Sequence, residues 1–368
     1  NIKIDLNMIK NIILVYPSFE RGGVKKNFLS YLKILSKKKI NVNIITDKKI
    51  DKKNLKKRIK IINTKKYKFS FIYKYLCSFI SAYKILQLRK TIKTNDLRVI
   101  SFQSSFFTSI ICRLIGFKLI VRVSEDPIGA TKYSDNIILA IMIFLTKIVT
   151  YNLSYKIFVN SRKMNENLKK LVINKKKIIL QYNMNLKSIR KYKINNKKNI
   201  FLNIGRFCKQ KNQILILKAF KLFIKKNKNF LLYLCGDGPD STRLKVMCKD
   251  YNIEKKVKFL GWKDDTKDIL IKSKYFIFPS LYEGLPNALI DAVNFDLVCV
   301  CNNVSGVNDI CGKNYVPLKK NNAESIFQGM QKSVSNYNYY SKKNLIHKKR
   351  LNKFLFKNLE NKLLKNIK

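Results

Sequence analysis

The sequence predicts an α/β protein made of two halves of similar size, and three observations carry that expectation. Short apolar runs recur along the 368 residues, and stretches with helical apolar spacing separate most of them. Such alternation gives parallel strands joined by crossover helices. A polar, Lys-rich interval without a clear period, 183–198, divides the chain, and a second alternation starts at Asn199. The length suffices for two cores, and 46% hydrophobic with 12% aromatic residues argues against disorder.

In the first half, strands are expected at 11–16, 42–46, 59–63, 99–102, 118–123, 156–160 and 178–182. Helices are expected at 24–36, 71–88 and 104–115, with 48–60 a solvated loop. Gly22-Gly23 follows the first strand and precedes a helix, the shape of a phosphate-approaching turn. The full nucleotide fingerprints, G-x-G-x-x-G and the P-loop, are absent, and a lone Gly-Gly by itself reads more readily as a plain turn. Arg122, Glu125 and Asp126 fall at the end of a strand, where open α/β sheets place ligands. They are candidate acceptor contacts, with an ordinary surface turn as the alternative. Residues 137–148 are strongly apolar and read either as a buried helix or as an interfacial membrane helix.

In the second half, strands are expected at 200–204, 230–235, 257–260, 275–278 and 297–301. A single amphipathic helix is expected over 339–368. The strand at 275–278 runs into a loop, 279–286, in which Gly284 frees the backbone. Pro286 and good helix formers follow. A strand feeding a Gly-containing turn and a helix N-terminus aims unpaired N–H groups at one spot, which favours an anion. Glu283 and Asp291 flank that spot. Acids beside an anion site make sense for a ligand carrying both phosphates and hydroxyls, with an ordinary strand–loop–helix bearing two solvated acids as the alternative. Arg206 and Lys211 lie on the loop after the first strand of this half and would neutralise a diphosphate. Arg is scarce in this chain, so Arg206 is the more telling of the two.

Lys plus Arg number 77 against 22 acids, a formal charge of +55. The excess is Lys spread evenly with Asn and Ile, and no zinc-finger, RNA-recognition or basic-heptad signature accompanies it. Specific nucleic-acid binding is therefore not expected. Anionic membrane surfaces and phosphate-rich substrates are. The eight cysteines are scattered without a CxxC pair, which points to reduced thiols and a cytosolic chain. No secretory h-region or bilayer-length apolar run is present in the sequence, and Met8 reads as a candidate start site.

With these residues assembled, the second half resembles the nucleotide-sugar domain of the retaining glycosyltransferases of family 4, which have the GT-B fold. The matching pieces are Gly205-Arg206 with Lys211-Asn212, Gly236-Asp237-Gly238-Pro239, Phe259-Leu260-Gly261 and Pro279-Ser280. Glu283-Gly284-Leu285-Pro286-Asn287 with Asp291, then Ser305-Gly306-Val307, complete the order over 199–312. The first half resembles the family more loosely, through Gly22-Gly23 and the alternation. The resemblance implies two Rossmann-like domains facing across a cleft: an acceptor-side domain at 1–185, a donor domain at 186–340, and a C-terminal helix at 341–368 packing back toward the first.

By the same resemblance, Glu283, Arg206 and Lys211 are catalytic, and Gly23, Gly205, Gly284, Leu285 and Asp291 bind the donor. The family's usual pair is two Glu, so Asp291 departs from it. Many relatives carry a His in the first domain, whereas this chain has only His347, in the tail. The implied reaction moves a hexosyl or N-acetylhexosaminyl group from a nucleotide sugar, without metal or cofactor, to a saccharide or lipid-linked acceptor. Basic side chains stabilise the leaving diphosphate, which itself takes the acceptor's proton. Surface-polysaccharide or glycan-precursor synthesis at the inner face of the cell membrane is the expected setting. A basic RNA- or membrane-binding protein on an inactive scaffold is the main alternative, and a phosphorylase or epimerase a further one.

Overall fold

The structure is a computed structural model that describes residues 9–17, 22–47, 58–64, 72–92, 96–103, 105–184, 186–190 and 196–368. Met8, Ser104 and Phe71, and most of the expected loop 48–60, lie outside the described residues. So do the side chains of 72–74 and 345–347, which include His347. The chain forms two compact units: residues 1–185 with 356–368, and residues 186–355.

Among its described residues, unit 1 holds seven parallel strands: β1 (Asn11–Val15), β2 (Asn41–Thr46), β3 (Ile59–Asn63), β4 (Leu97–Ser101), β5 (Lys118–Val123), β6 (Lys156–Val159) and β7 (Ile178–Leu180). Their order is β3-β2-β1-β4-β5-β6-β7. The sequence turns outward in both directions from the β1/β4 pair, the arrangement that places ligands at the strands' carboxyl ends. β1, β4 and β5 are almost entirely buried, as a parallel sheet covered on both faces requires. Helix Gly23–Ser36 follows β1 and buries Phe28, Tyr31 and Leu35. Gly22 precedes it at φ 135°, a conformation glycine accepts readily.

Among its described residues, unit 2 holds six parallel strands: β8 (Lys198–Ile204), β9 (Leu231–Cys235), β10 (Val257–Phe259), β11 (Ser273–Phe278), β12 (Val298–Cys301) and β13 (Val316–Pro317). Their order is β10-β9-β8-β11-β12-β13. An aromatic cluster fills one face: Phe201 packs on Tyr275 at 4.7 Å, Phe223 at 5.2 Å and Phe230 at 5.6 Å between ring centroids. Each such ring contributes about 1.5–3 kcal/mol by leaving water. The two-residue β13 is too short to show any periodicity, and sequence reading missed it.

The expected single tail helix is two helices. Tyr337–His347 runs into a 3-10 segment at Lys348–Phe354, and Phe356–Ile367 follows. The break separates the tail between the units. In unit 1, Arg98 donates to the Ile367 and Lys368 carbonyls at 3.2 and 3.0 Å, and Lys156 to Asn366 O at 2.9 Å. Capping those carbonyls with cations satisfies groups that the helix end leaves unpaired.

Candidate active site

The expected catalytic loops converge at the carboxyl ends of β8, β9, β11 and β12. β8 ends at Ile204, and Gly205 to Asn212 form the loop above it. The next loop, from Gly236, is zipped to it: Gly205 N donates to Cys235 O at 3.0 Å, Phe207 N to Asp237 O at 3.0 Å, and Asp240 N to Phe207 O at 3.1 Å. This close approach is why glycine stands at 236 and 238. A Cβ on Gly236 would lie 1.9 Å from Gly205 O, and one on Gly238 would lie 2.3 Å from Phe207 O.

The Glu283 loop is tied to the Lys211 loop along its length. Leu281 N donates to Gln210 O at 2.9 Å, and the Gln210 side-chain amide donates to Tyr282 O at 2.8 Å. From the end of β12, Asn302 Nδ2 donates to Pro279 O at 2.9 Å and Ser280 O at 3.1 Å. Gly306, at φ 85°, packs its backbone onto Gly284–Pro286; a Cβ there would lie 2.7 Å from Gly284 O. The Ser305 hydroxyl beside it is buried without a hydrogen-bond partner among the described residues. Gln210 and Asn302 are positioning residues that sequence reading did not single out. Gln210 sat inside the quoted motif, and Asn302 carried no signal beyond following a strand.

Between these loops the Lys211 ammonium pairs with the Glu283 carboxylate. Glu283 is buried, and the Lys211 side chain is one-fifth exposed. The Lys211 stem runs over Gly205, with carbons 3.5 Å from where a Cβ would stand, and its ammonium lies 5.8 Å from the Phe278 ring centroid. Taking both charges partly out of water is offset only because they meet. Arg206 is exposed on the same loop, and its side chain makes no hydrogen bond or ion pair among the described residues. Its carbonyl accepts from Gln213 Nε2 at 3.1 Å.

Gly284 and Leu285 are buried in the loop, and the helix they lead into is Asn287–Asn294. Pro286 is its N-cap and makes no side-chain cap hydrogen bond. The helix starts four residues after Glu283, so Glu283 is a loop residue while Asp291, half-buried, is helical. Among the described residues, no group of three or more His, Cys, Asp or Glu is placed to hold a metal ion. Asp264 accepts from Trp262 Nε1 at 3.2 Å, and Asp265 from the Lys267 amide at 3.0 Å, so both are turn residues.

Gly23 is the first residue of a helix in unit 1. The acceptor candidates Arg122, Glu125 and Asp126 lie in the same unit. Arg122 is buried and donates to Tyr31 Oη at 3.0 Å, Gln181 O at 3.1 Å and Asn183 Oδ1 at 2.6 Å. Burial lowers its pKa, and Tyr31 partly offsets this. Its guanidinium is therefore an internal strut. Asp126 caps helix Pro127–Lys132 through the Ile128 amide at 3.2 Å and accepts from Asn167 at 2.9 Å, again a structural role. Glu125 is exposed and pairs with Lys147 at 3.6 Å.

Two parallel α/β sheets, one carrying paired basic and acidic loops above its carboxyl edge, define a GT-B-like scaffold. Residues 185–351 match the family Glycosyl transferases group 1. A UDP-Gal:alpha-D-GlcNAc-diphosphoundecaprenol alpha-1,3-galactosyltransferase from Escherichia coli is 35% identical over 112 residues, 30% of this chain and 29% of that protein. The chain thus spans under a third of that relative's length. An N-acetylgalactosamine-N,N'-diacetylbacillosaminyl-diphospho-undecaprenol 4-alpha-N-acetylgalactosaminyltransferase from Campylobacter jejuni is 25% identical over 87% of this chain and 88% of its own. In fold, sucrose-phosphate synthase from Thermosynechococcus elongatus superposes with a TM-score of 0.78 at 13% identity, covering 96% of this chain and 97% of that one.

Proposed function

We propose that the protein is a retaining glycosyltransferase that moves a hexosyl or N-acetylhexosaminyl group from a nucleotide sugar to a lipid-linked saccharide. The observation that carries this reading is the Lys211–Glu283 pair, held between two hydrogen-bonded loops above the sheet edge. A sugar diphosphate presents what this pair lacks. Its phosphates attract the Lys211 ammonium and the exposed Arg206, and the sugar hydroxyls donate to the Glu283 carboxylate.

On this reading, Lys211 and Arg206 stabilise the charge that grows on the diphosphate as the glycosidic bond to it breaks. Preorganised charges in a partly dry site act most strongly in that role. The acceptor hydroxyl attacks from the same face, and the departing phosphate takes its proton. The amides of Gly284 and Leu285 and the helix start at Asn287 support the phosphates, and Gly205 leaves room for the Lys211 stem. Asp291 receives the ribose hydroxyls. With two cations meeting the diphosphate, the reaction runs without a metal. The undecaprenol-linked acceptors named for the two relatives support a lipid-linked acceptor in glycan assembly.

A panel of UDP-, GDP- and dTDP-sugars with a lipid-linked saccharide acceptor tests the reading by following product formation. Transfer from one class of donor, with the anomeric configuration kept, is the expected result. Salt-sensitive binding of polyanions with no saturable nucleotide binding would instead favour an inactive basic scaffold.

A further inference from the structure

We propose that one helical face of unit 1 docks on an anionic bilayer surface, and that helix Ile137–Leu153 is its centre. This helix carries one charge in 17 residues, Lys147, and that residue turns toward Glu125. Ala140, Thr150 and Tyr151 bury its inner side. On the other side, Ile137, Ile138, Ile141, Met142, Leu145 and Val149 are exposed, with Ile138 at 72%, Met142 at 57% and Leu145 at 55%. At 100° per residue these six span about 140° of the helix. A surface helix normally gives that arc to polar residues, and contiguous apolar exposure marks an interaction site.

The face extends to a second helix. Tyr75, on helix Ile72–Leu88, meets Thr146 across a 3.4 Å hydroxyl contact. One and two turns further along the same side stand exposed Phe79 and Tyr83. Phe79 also packs edge-on against Phe107 of helix Phe106–Leu114, at 5.7 Å between centroids. Aromatic and aliphatic side chains without charge, on a chain where Lys and Arg outnumber acids 77 to 22, fit the boundary of an anionic bilayer. Lys84 and Lys132, each beside a Tyr ring at 5.8 and 5.7 Å, supply cations where headgroups would lie. Among the described residues, no helix is long and apolar enough to cross a membrane, so the contact is one of docking, not spanning.

The inference rests on the proposed function in one respect: a lipid-linked acceptor gives the face its use. The experiment separates the two. Wild type should co-float with phosphatidylglycerol/phosphatidylethanolamine vesicles, and Ile138→Glu with Leu145→Glu should bind them at least about tenfold less. Ile173→Glu, at an exposed residue elsewhere in unit 1, should float like wild type. An Ile138→Trp variant should lose fluorescence on vesicles of brominated lipid. Transfer to a short, water-soluble acceptor without vesicles should be the same in wild type and the double-Glu variant. Three results would each overturn the docking face: equal flotation of the double-Glu variant, no quenching in the Ile138→Trp variant, or a wild-type dimer that the two Glu substitutions dissociate. Failure of soluble transfer in wild type would count against the enzyme reading and leave the vesicle result standing.

Discussion

Lys211 and Glu283, 72 positions apart in sequence, share an ion pair that bridges the loops above β8 and β11. Neither side chain has another charged partner among the described residues, so each offsets the partial burial of the other. Lys211→Ala should therefore cost about 1–3 kcal/mol of stability, below the figure for a fully buried pair because the ammonium is partly wet. Adding Glu283→Gln should restore part of that loss. Denaturant unfolding of the two single variants and the double variant measures the coupling. Strictly additive losses would mean the contact contributes nothing.

Arg206 is the opposite case. Its side chain is exposed and unpartnered among the described residues, so Arg206→Ala should change stability by less than about 0.5 kcal/mol. Turnover should nonetheless fall about 10²-fold if the guanidinium serves the leaving diphosphate. Steady-state kinetics beside thermal unfolding reads both numbers from one preparation. A variant with full turnover removes Arg206 from the chemistry.

Two glycines at the same site should respond differently. Gly236→Ala sets a methyl 1.9 Å from the Gly205 carbonyl, where backbone must move, and should cost about 2–4 kcal/mol and much of the activity. Gly205→Ala meets only the flexible Lys211 stem at 3.5 Å and should fold nearly as wild type. Comparable melting temperatures for the two variants would contradict this packing of the loops.

A buried lysine elsewhere in unit 2 predicts a pH effect. Lys197 donates to the carbonyls of Phe295 at 2.6 Å and Ser273 at 2.9 Å, near the Lys348–Asp296 pair at 2.7 Å. Burial is the main cause that lowers its pKa to about 8; Asp296 opposes this, and Lys348 and Arg190 add to it. Between pH 8 and about 10.4 the unfolded chain holds a proton there that the folded chain has released. Stability from this group therefore rises with pH across that window, by up to about 3 kcal/mol, and is flat below it. Lys197→Met should remove that slope. An unchanged slope across the window would show that other groups set it.

The loops above β8 and β11 were legible because their residues stand in motifs that close local geometry: a strand end, a glycine, a turn, a helix start. Strand positions in both sheets were legible for a related reason, since doubly buried strands read as short apolar runs. Helix Ile137–Leu153 was harder to place. Its inner and outer sides are equally apolar, and only packing shows which is wet. The hydrogen bonds of Arg122 were not legible, since its partners Tyr31, Gln181 and Asn183 come from distant stretches that no local pattern connects. The tail break at Lys348–Phe354 also depends on tertiary contacts, because apolar spacing continues straight through it.

Titration calorimetry with UDP and GDP, on wild type and on Lys211→Ala, is the most direct test of the claim that the Lys211–Glu283 loops form the sugar-diphosphate site. Saturable binding of one nucleotide at one site per chain, weakened at least about tenfold by the substitution, is the predicted result. Equal affinity in the two proteins would place the diphosphate elsewhere and contradict the account.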